Sequence, residues 1–144
     1  MKVTVDIPQS EINKAINSIN RWQKRKLAEI KTQVVASTEN VRNKAMRNCP
    51  EDTSYLKHSI KTQYSGDGKS GEVGIYADYA EAVELGSRSH IIRVKNAKVL
   101  SDGERFFGKE VKHPGTKAQP FLFPAYEEER PNFIKRLLQI IGRK

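Results

Sequence analysis

The sequence predicts one α+β domain. A long N-terminal helix and a C-terminal helix pack with a small, mostly antiparallel sheet, and a long hairpin-like arm projects from them. Three observations carry this. Apolar residues between Ile12 and Ala45 recur at helical steps. All nine glycines lie at or after Gly66, so the first part of the chain has no flexible punctuation. From Ile60 the apolar pattern becomes strand-like, and it turns helical again near the C-terminus. The 144 residues suit one domain and leave no room for a cofactor domain beside a substrate domain. A hydrophobic share of 37% is enough for one modest core.

Residues 1–48 read as a strand followed by a long basic helix. Val3, Val5 and Ile7 alternate with polar neighbours until Pro8 ends the run. Ser10 is the expected helix N-cap. Ile12, Ile16, Ile19, Leu27, Ile30, Val34, Val41 and Ala45 then form one stripe, unbroken by Gly or Pro as far as Asn48. At 1.5 Å per residue the helix reaches about 60 Å, as one piece or as two in line. A globule of this size cannot cover such a helix, so part of the stripe is expected to pack on another subunit. Arg21, Lys24, Arg25 and Lys26 crowd the middle of the stripe around Trp22. Such a run is either a solvated face or a contact surface for phosphates or acidic protein.

Residues 49–86 read as helix, hairpin and short helix. Asp52 or Thr53 caps a helix carrying Tyr55, Leu56 and Ile60. Strands at 60–64 and 72–76 flank the turn-rich run 65–71. Asp78 is the expected cap of a helix through Leu85, which Gly86 stops. Residues 87–119 form a polar arm whose apolar islands are Ile91-Ile92-Arg93-Val94 and Phe106-Phe107. Excursions of this length are usually functional or disordered. Ser101-Asp102-Gly103 and His113-Pro114-Gly115 read as its turns. In residues 120–144, Pro124 is expected at the first helical position, with Glu127, Glu128 and Glu129 complementing the helix dipole. Phe133, Ile134, Leu137, Leu138 and Ile141 form the apolar face, Pro131 predicts a kink or restart, and Gly142 closes the helix.

Twenty-six basic side chains stand against 17 acidic ones, a net charge of +9 that points to an anionic partner or an acidic protein surface. Residues 1–50 hold ten basic and four acidic side chains, so most of the surplus sits there. The single cysteine, Cys49, excludes an internal disulfide framework. No stretch approaches the roughly 20 apolar residues of a membrane span, and the first residues lack a signal-peptide core. A reducing cytosol is the expected place of synthesis and assembly.

Tests for chemistry return no constellation. His58, His90, His113 and Cys49 show no ligand spacing such as HxxxH or CxxC. Cys49 lacks a catalytic signature and reads as a buried, inert thiol. Glu81 and Glu84 lie three apart on one helix face and read as a solvated edge. The glycine-rich runs near 66–74 lack the phosphate-loop order and its lysine. The expectation is therefore no enzyme, no cofactor and no metal. Nucleic acid is harder to dismiss, since a basic helix suits phosphates. Few aromatics accompany it, and no zinc-finger or RRM pattern is present.

Three segments carry a resemblance. Residues 49–60 resemble the pattern Pro-x-Asp-Thr-Gly-x-Leu-Lys/Arg-x-Ser-Ile, matched at Pro50, Asp52, Thr53, Leu56, Lys57, Ser59 and Ile60, with Ser54 in place of the glycine. Residues 76–87 resemble Tyr-Ala-x-Tyr-Val-Glu-Phe-Gly-Thr through Tyr79, Glu84 and Gly86, with two extra residues between Ala80 and Glu84. Residues 113–125 are similar to a closing signature in which His113, Pro114, Gly115, Gln119, Pro120, Phe121 and Pro124 stand, and a helix follows. The family so resembled is that of small tailed-phage virion proteins called head–tail joining, neck or tail-completion proteins. The likeness covers roughly residues 40–142 and leaves the basic first 35 residues to speak for themselves.

The resemblance implies a structural virion protein of a phage or prophage, assembled in the host cytoplasm. It implies a homo-oligomeric ring joining capsid connector to tail, contacting other virion proteins, with packaged DNA close by and no membrane. The motif residues have structural tasks in this reading. Arg21, Lys24, Arg25 and Lys26 on the helix, and Ile91, Ile92, Arg93, Phe106 and Phe107 on the arm, are the expected interface. The competing expectations are a DNA-binding accessory protein that uses the basic helix without sequence specificity and, further back, a small hydrolase or toxin.

Overall fold

The structure, a computed structural model, describes residues 8–50, 54–95, 100–101 and 104–143. The expected N-terminal strand at 2–7, the Asp52 and Thr53 cap and the turn at Asp102-Gly103 lie outside them.

The architecture is α+β, as expected. Helix α1 runs from Gln9 to Asn48 and α2 from Ser54 to Ser59. Strands β1 (Ile60–Tyr64) and β2 (Gly71–Ile75) pair antiparallel, with Ile60 opposite Ile75 and Tyr64 opposite Gly71. Helix α3 spans Ala80–Leu85. Four short strands build the arm: β3 (His90–Arg93), β4 (Leu100–Ser101), β5 (Phe106–Gly108) and β6 (Glu110–His113). Helix α4, Leu122–Gly142, is the last element. The strands form three separate antiparallel pairs: β1–β2, β3–β6 and β4–β5.

The N-terminal stripe forms a single helix of 40 residues. Its start differs in one detail. Pro8, not Ser10, is the cap residue, and no side-chain hydrogen bond caps the helix there. Pro8 lacks a donor and leaves its carbonyl for Glu11 and Ile12, at 2.9 and 3.3 Å. Ile60, placed by the sequence both on the second helix and at the start of the first strand, opens β1. Asp78 does not cap α3. Tyr79 holds that position, again without a side-chain bond.

The core is small. Ala45, Cys49, Leu56, Ile60, Ala77, Ala80, Phe121 and Ala125 form one buried cluster. Phe121, Leu56 and Ile60 are its largest fully buried side chains. Burial pushes the Cys49 thiol above its ordinary 9.0, against the opposing charge of Lys57. The cluster sits where the C-terminal end of α1, α2, the start of the hairpin, α3 and the start of α4 meet.

Helix α4 lies antiparallel along the C-terminal half of α1, lashed there by charge. Glu129 is buried, although it was expected to serve the helix dipole with its neighbours. Asn40 donates to its Oε1 at 3.2 Å, Lys44 to its Oε2 at 3.4 Å, and Arg136 pairs with Oε1 from the same helix. Arg136 also donates to Ser37 at 2.7 Å, and Lys44 takes Glu128 at 2.8 Å. These bonds cross between the helices on both sides of Pro131. That explains why α4 continues through the proline without a restart, despite the amide missing at that position. On the other side of α1, Glu39 accepts from Thr62 at 2.8 Å and Tyr64 at 2.6 Å. These bonds, led by Tyr64, hold its carboxyl below the ordinary 4.5.

Burial pushes the Glu129 carboxyl up, but the bonds from Asn40, Arg136 and Ser37 and the charge of Arg136 outweigh it. The net position is below 4.5. The folded state therefore binds fewer protons than the unfolded state just below that pH. The stabilisation is present above 4.5 and is lost as pH falls through the depressed value. Glu129→Gln is expected to remove this part of the acid sensitivity. It should also lower stability at pH 7 by about 2 kcal/mol, less than the roughly 3–5 of a fully buried pair because Arg136 and Lys44 keep some solvent access. Urea melts between pH 3 and 7 test this, and unchanged stability and pH slope would refute it.

Candidate functional site

The three sequence segments that carry the resemblance converge on one junction at the root of the arm. Leu56 and Ile60 from the first segment pack in the core with Phe121 from the third. The second and third segments meet through the backbone. Gln119 donates its amide to the Val83 carbonyl at 2.8 Å. Ser87 and Thr116 form an antiparallel bridge with both backbone bonds made, at 3.0 and 3.1 Å. Their hydroxyls meet at 3.0 Å.

Two glycines permit that closeness. Gly86 has φ +75°, and a Cβ there would lie 2.7 Å from the Thr116 carbonyl oxygen. Gly115 has φ +90°, and its Cβ would lie 2.2 Å from the Ser87 carbonyl oxygen. Both positions exclude other residues by backbone conformation and by space. His113 completes the turn by accepting the Gly115 amide on Nδ1 at 3.1 Å. It stands opposite His90 in the β3–β6 ladder, the ring centroids 5.1 Å apart.

Glu84 is the centre of the junction, and the expectation of a solvated edge is wrong for it. Glu81 is exposed as expected, but Glu84 is 7% exposed. Its Oε2 accepts the amides of Phe121 and Leu122 at 2.8 and 2.9 Å, and its Oε1 accepts that of Phe123 at 2.9 Å. These are donors that the start of α4 leaves without helical partners. The carboxylate caps α4 from a different helix, at the positive end of the dipole. Pro124, expected at the first helical position, is therefore the third residue of a helix that begins at Leu122. Pro50 follows the end of α1 and is half-buried, Ser59 is buried, and Tyr79 is exposed with its ring 6.3 Å from that of Tyr55. The side chains of Pro114, Gln119, Pro120 and Pro124 are exposed.

Two surfaces lead away from the junction. One is the arm. Every residue of β3 is exposed, so the strand stands clear of the body on both faces. Ile91, Ile92 and Phe106 are open to solvent, Phe106 at 80%. Phe107 lies in β5, and its side chain is outside the described set. Arg93, expected to face a partner, pairs with Glu110 across the ladder at 2.7 Å. The other surface is the N-terminal half of α1, where every residue from Gln9 to Arg25 is exposed. Ile12, Ile16, Ile19 and Trp22 lie among them, as do Arg21, Lys24 and Arg25. Lys26 departs from the expected interface set: it is buried, with Nζ 6.0 Å from the Trp22 ring centroid.

Sequence reasoning missed Ser37, Asn40, Lys44, Glu129 and Arg136 as a group, and Glu39 with Thr62 and Tyr64. The surplus of polar residues on α1 between Ser37 and Lys44 was the available signal. Among the described residues no group of three or more His, Cys, Asp or Glu side chains gathers as metal ligands would. No described helix is long and apolar enough to cross a membrane. No family model, no curated protein and no solved structure matches this chain.

Replacing Glu84 by Ala strips three amides of their acceptor at once. We expect Glu84→Ala to destabilise the protein by about 2–3 kcal/mol, the scale of a lost cap combined with lost charge-assisted bonds. Glu81→Ala should change stability by less than about 0.5 kcal/mol, as an exposed substitution does. Equal effects in urea unfolding would refute the assignment of Glu84.

Proposed function

We propose that this chain is a structural subunit of the neck or tail-completion ring of a tailed phage or prophage, where it joins the capsid connector to the tail. The observation that carries the reading is the imbalance of the fold. A small core supports two large exposed surfaces, the bare half of α1 and the arm. Among the described residues neither surface holds a chemical constellation, and both present apolar side chains to solvent. Contiguous apolar exposure of this kind marks interaction sites. The sequence resemblance supplies the class of assembly. Described residues of its three segments meet at the junction that roots the arm, which supports structural tasks for them. The protein works in this reading by binding: α1 and the arm are its contact surfaces in the ring and between rings, with DNA passing near.

The test is deletion of residues 90–112 with the ends rejoined beyond the Ser87–Thr116 bridge. Because the junction lies below the cut, the variant is expected to fold with wild-type helicity. Heads and tails should then accumulate unjoined, visible by electron microscopy. Normal virions from that variant would overturn the proposal.

A second reading rests on Lys14, Arg21, Lys24 and Arg25, all exposed along the bare helix. They suit the phosphates of duplex DNA in a non-specific accessory role. If four phosphates are contacted, log affinity against log salt should fall with a slope of about −3 to −4. Absence of binding at low salt removes this reading.

A further inference from the structure

The arm carries two free strand edges. Every residue of β3 is exposed, and among the described residues its only paired neighbour is β6. β6 in turn pairs with β3 alone. Each strand therefore has an outer edge whose alternate backbone N–H and C=O groups point away from the hairpin. Such an edge accepts a further strand unless proline, an unanswered charge or a bulge blunts it. β3, His90–Arg93, has no proline, and its single charge, Arg93, is answered by Glu110. Ile91 and Ile92, 56% and 37% exposed, make the edge apolar on both faces.

The two edges fit each other. In an antiparallel pair, directly opposite residues turn their backbone groups the same way, either toward one another or both outward. The outward residues of β3 are therefore the register partners of the outward residues of β6. The register inside the hairpin is then also the register in which the β6 edge of a second copy satisfies the outer edge of β3. It sets Ile91 opposite Lys112, Ile92 opposite Val111 and Arg93 opposite Glu110.

Charge selects this arrangement over the alternatives. Arg93 donates from Nε to Oε1 of its own Glu110 at 2.7 Å, yet the two side chains stay 69% and 58% exposed. A guanidinium has five N–H donors and a carboxylate two oxygens, so this bond uses a fraction of either. In the joined sheet each Arg93 lies between two glutamates and each Glu110 between two arginines, a ladder of alternating sign. β3 laid on a second β3 brings Arg93 no new carboxylate. β6 laid on a second β6 can pair Glu110 with Lys112 but leaves Ile91 and Ile92 in water. The molecule cannot cover its own β3 edge with β6, which already holds the inner one.

We infer that the outer edge of β3 takes the β6 edge of a second copy's arm, antiparallel and in the hairpin's own register, so that neighbouring arms form one continuous sheet. This is strand addition between identical chains. The contact is heterologous. Each copy offers one edge and receives another, so association propagates and closes into a ring when the rotation allows. The inference rests on the ring reading above and names the surface that makes the ring.

Disulfide trapping between full-length chains tests it. Ile91→Cys and Lys112→Cys both lie at exposed positions, and native Cys49 is buried. Opposite Cα atoms in an antiparallel pair are about 4.5–5.5 Å apart, within reach of a disulfide. Under mild oxidation a mixture of the two variants is expected to give a linked dimer that neither gives alone. Ile91→Cys mixed with Glu110→Cys, two residues out of register, should link several times more slowly. Ile91→Lys with Ile92→Lys should keep wild-type helicity and weaken self-association in sedimentation by about tenfold. Linkage by Ile91→Cys alone would overturn the inference, since that is β3 on β3, and linkage by Lys112→Cys alone would do so as β6 on β6. So would equal linkage in the shifted pair, no linkage in the mixture at the highest soluble concentration, or unchanged association of the lysine variant. The outcomes also separate the two proposals. Arms that link in register in a protein that joins no head to tail sink the neck reading alone. Normal joining by the Ile91→Lys, Ile92→Lys variant sinks this contact alone.

Discussion

The Glu84 carboxylate is the constraint on which the rest of the fold depends. It lies on a helix of six residues and binds the first amides of a helix of 21, across a gap of 37 residues in sequence. A buried carboxylate is unfavourable unless its lone pairs are used, and here three backbone donors use them. The same donors would otherwise be orphaned where α4 begins. Each group meets the other's need, so the ends of the intervening loop are brought together. The consequence for the arm is direct. Residues 87–119 leave from one side of this junction and return to the other, and Gly86 and Gly115 let the two backbones touch. The arm is thereby held at its root, and its strand β3 is exposed along its whole length.

The second constraint is the pairing of α1 with α4. The apolar core is too small to fix a helix as long as α1 by itself, and most of its members gather at one end. Glu129 extends the hold toward the N-terminus through Asn40, Lys44 and Arg136. Buried ion pairs contribute little net stability, because desolvation offsets most of the attraction. Their effect here is on register: the bonds made by one carboxylate are satisfied in only one alignment of α4 along α1. An apolar seam alone tolerates slippage by a turn. The groove beside this seam inherits its regularity from that fixed alignment.

The helices and the hairpin are legible in the sequence because periodicity is local. Steps of three and four define α1, and the switch at Ile60 marks β1 to the residue. Gly86 is legible as a helix stop. The two buried glutamates are not legible, and the reason is physical. Glu84 stands three residues from Glu81, and Glu129 ends a run of three glutamates, so both sit in patterns typical of solvated faces. What buries each is a partner distant in sequence: the amides at 121–123 for Glu84, and Asn40 with Lys44 for Glu129. Lys26 fails in the opposite direction. Its charged neighbours suggest an open face, and the fold buries it. Of the expected interface, Arg21, Lys24, Arg25, Ile91, Ile92, Arg93 and Phe106 are exposed, Arg93 paired with Glu110 within the arm.

A long exposed helix needs a reason to remain helical, and the anchored half supplies it. Helix formation is limited by nucleation, and extension from an existing turn avoids that cost. The C-terminal half of α1 is nucleated by its packing on α4 and the hairpin. The N-terminal half then extends from it without Gly or Pro. It is helped by Glu11 at the positive end of the dipole and by the Glu11–Lys14 pair at 2.8 Å. Seventeen exposed residues, Gln9 to Arg25, therefore carry an apolar stripe about 25 Å out from the body. Substitutions on that stripe leave the core and the junction untouched. Folding thus draws on the C-terminal part of the helix, and the contacts proposed for the protein draw on the exposed N-terminal part.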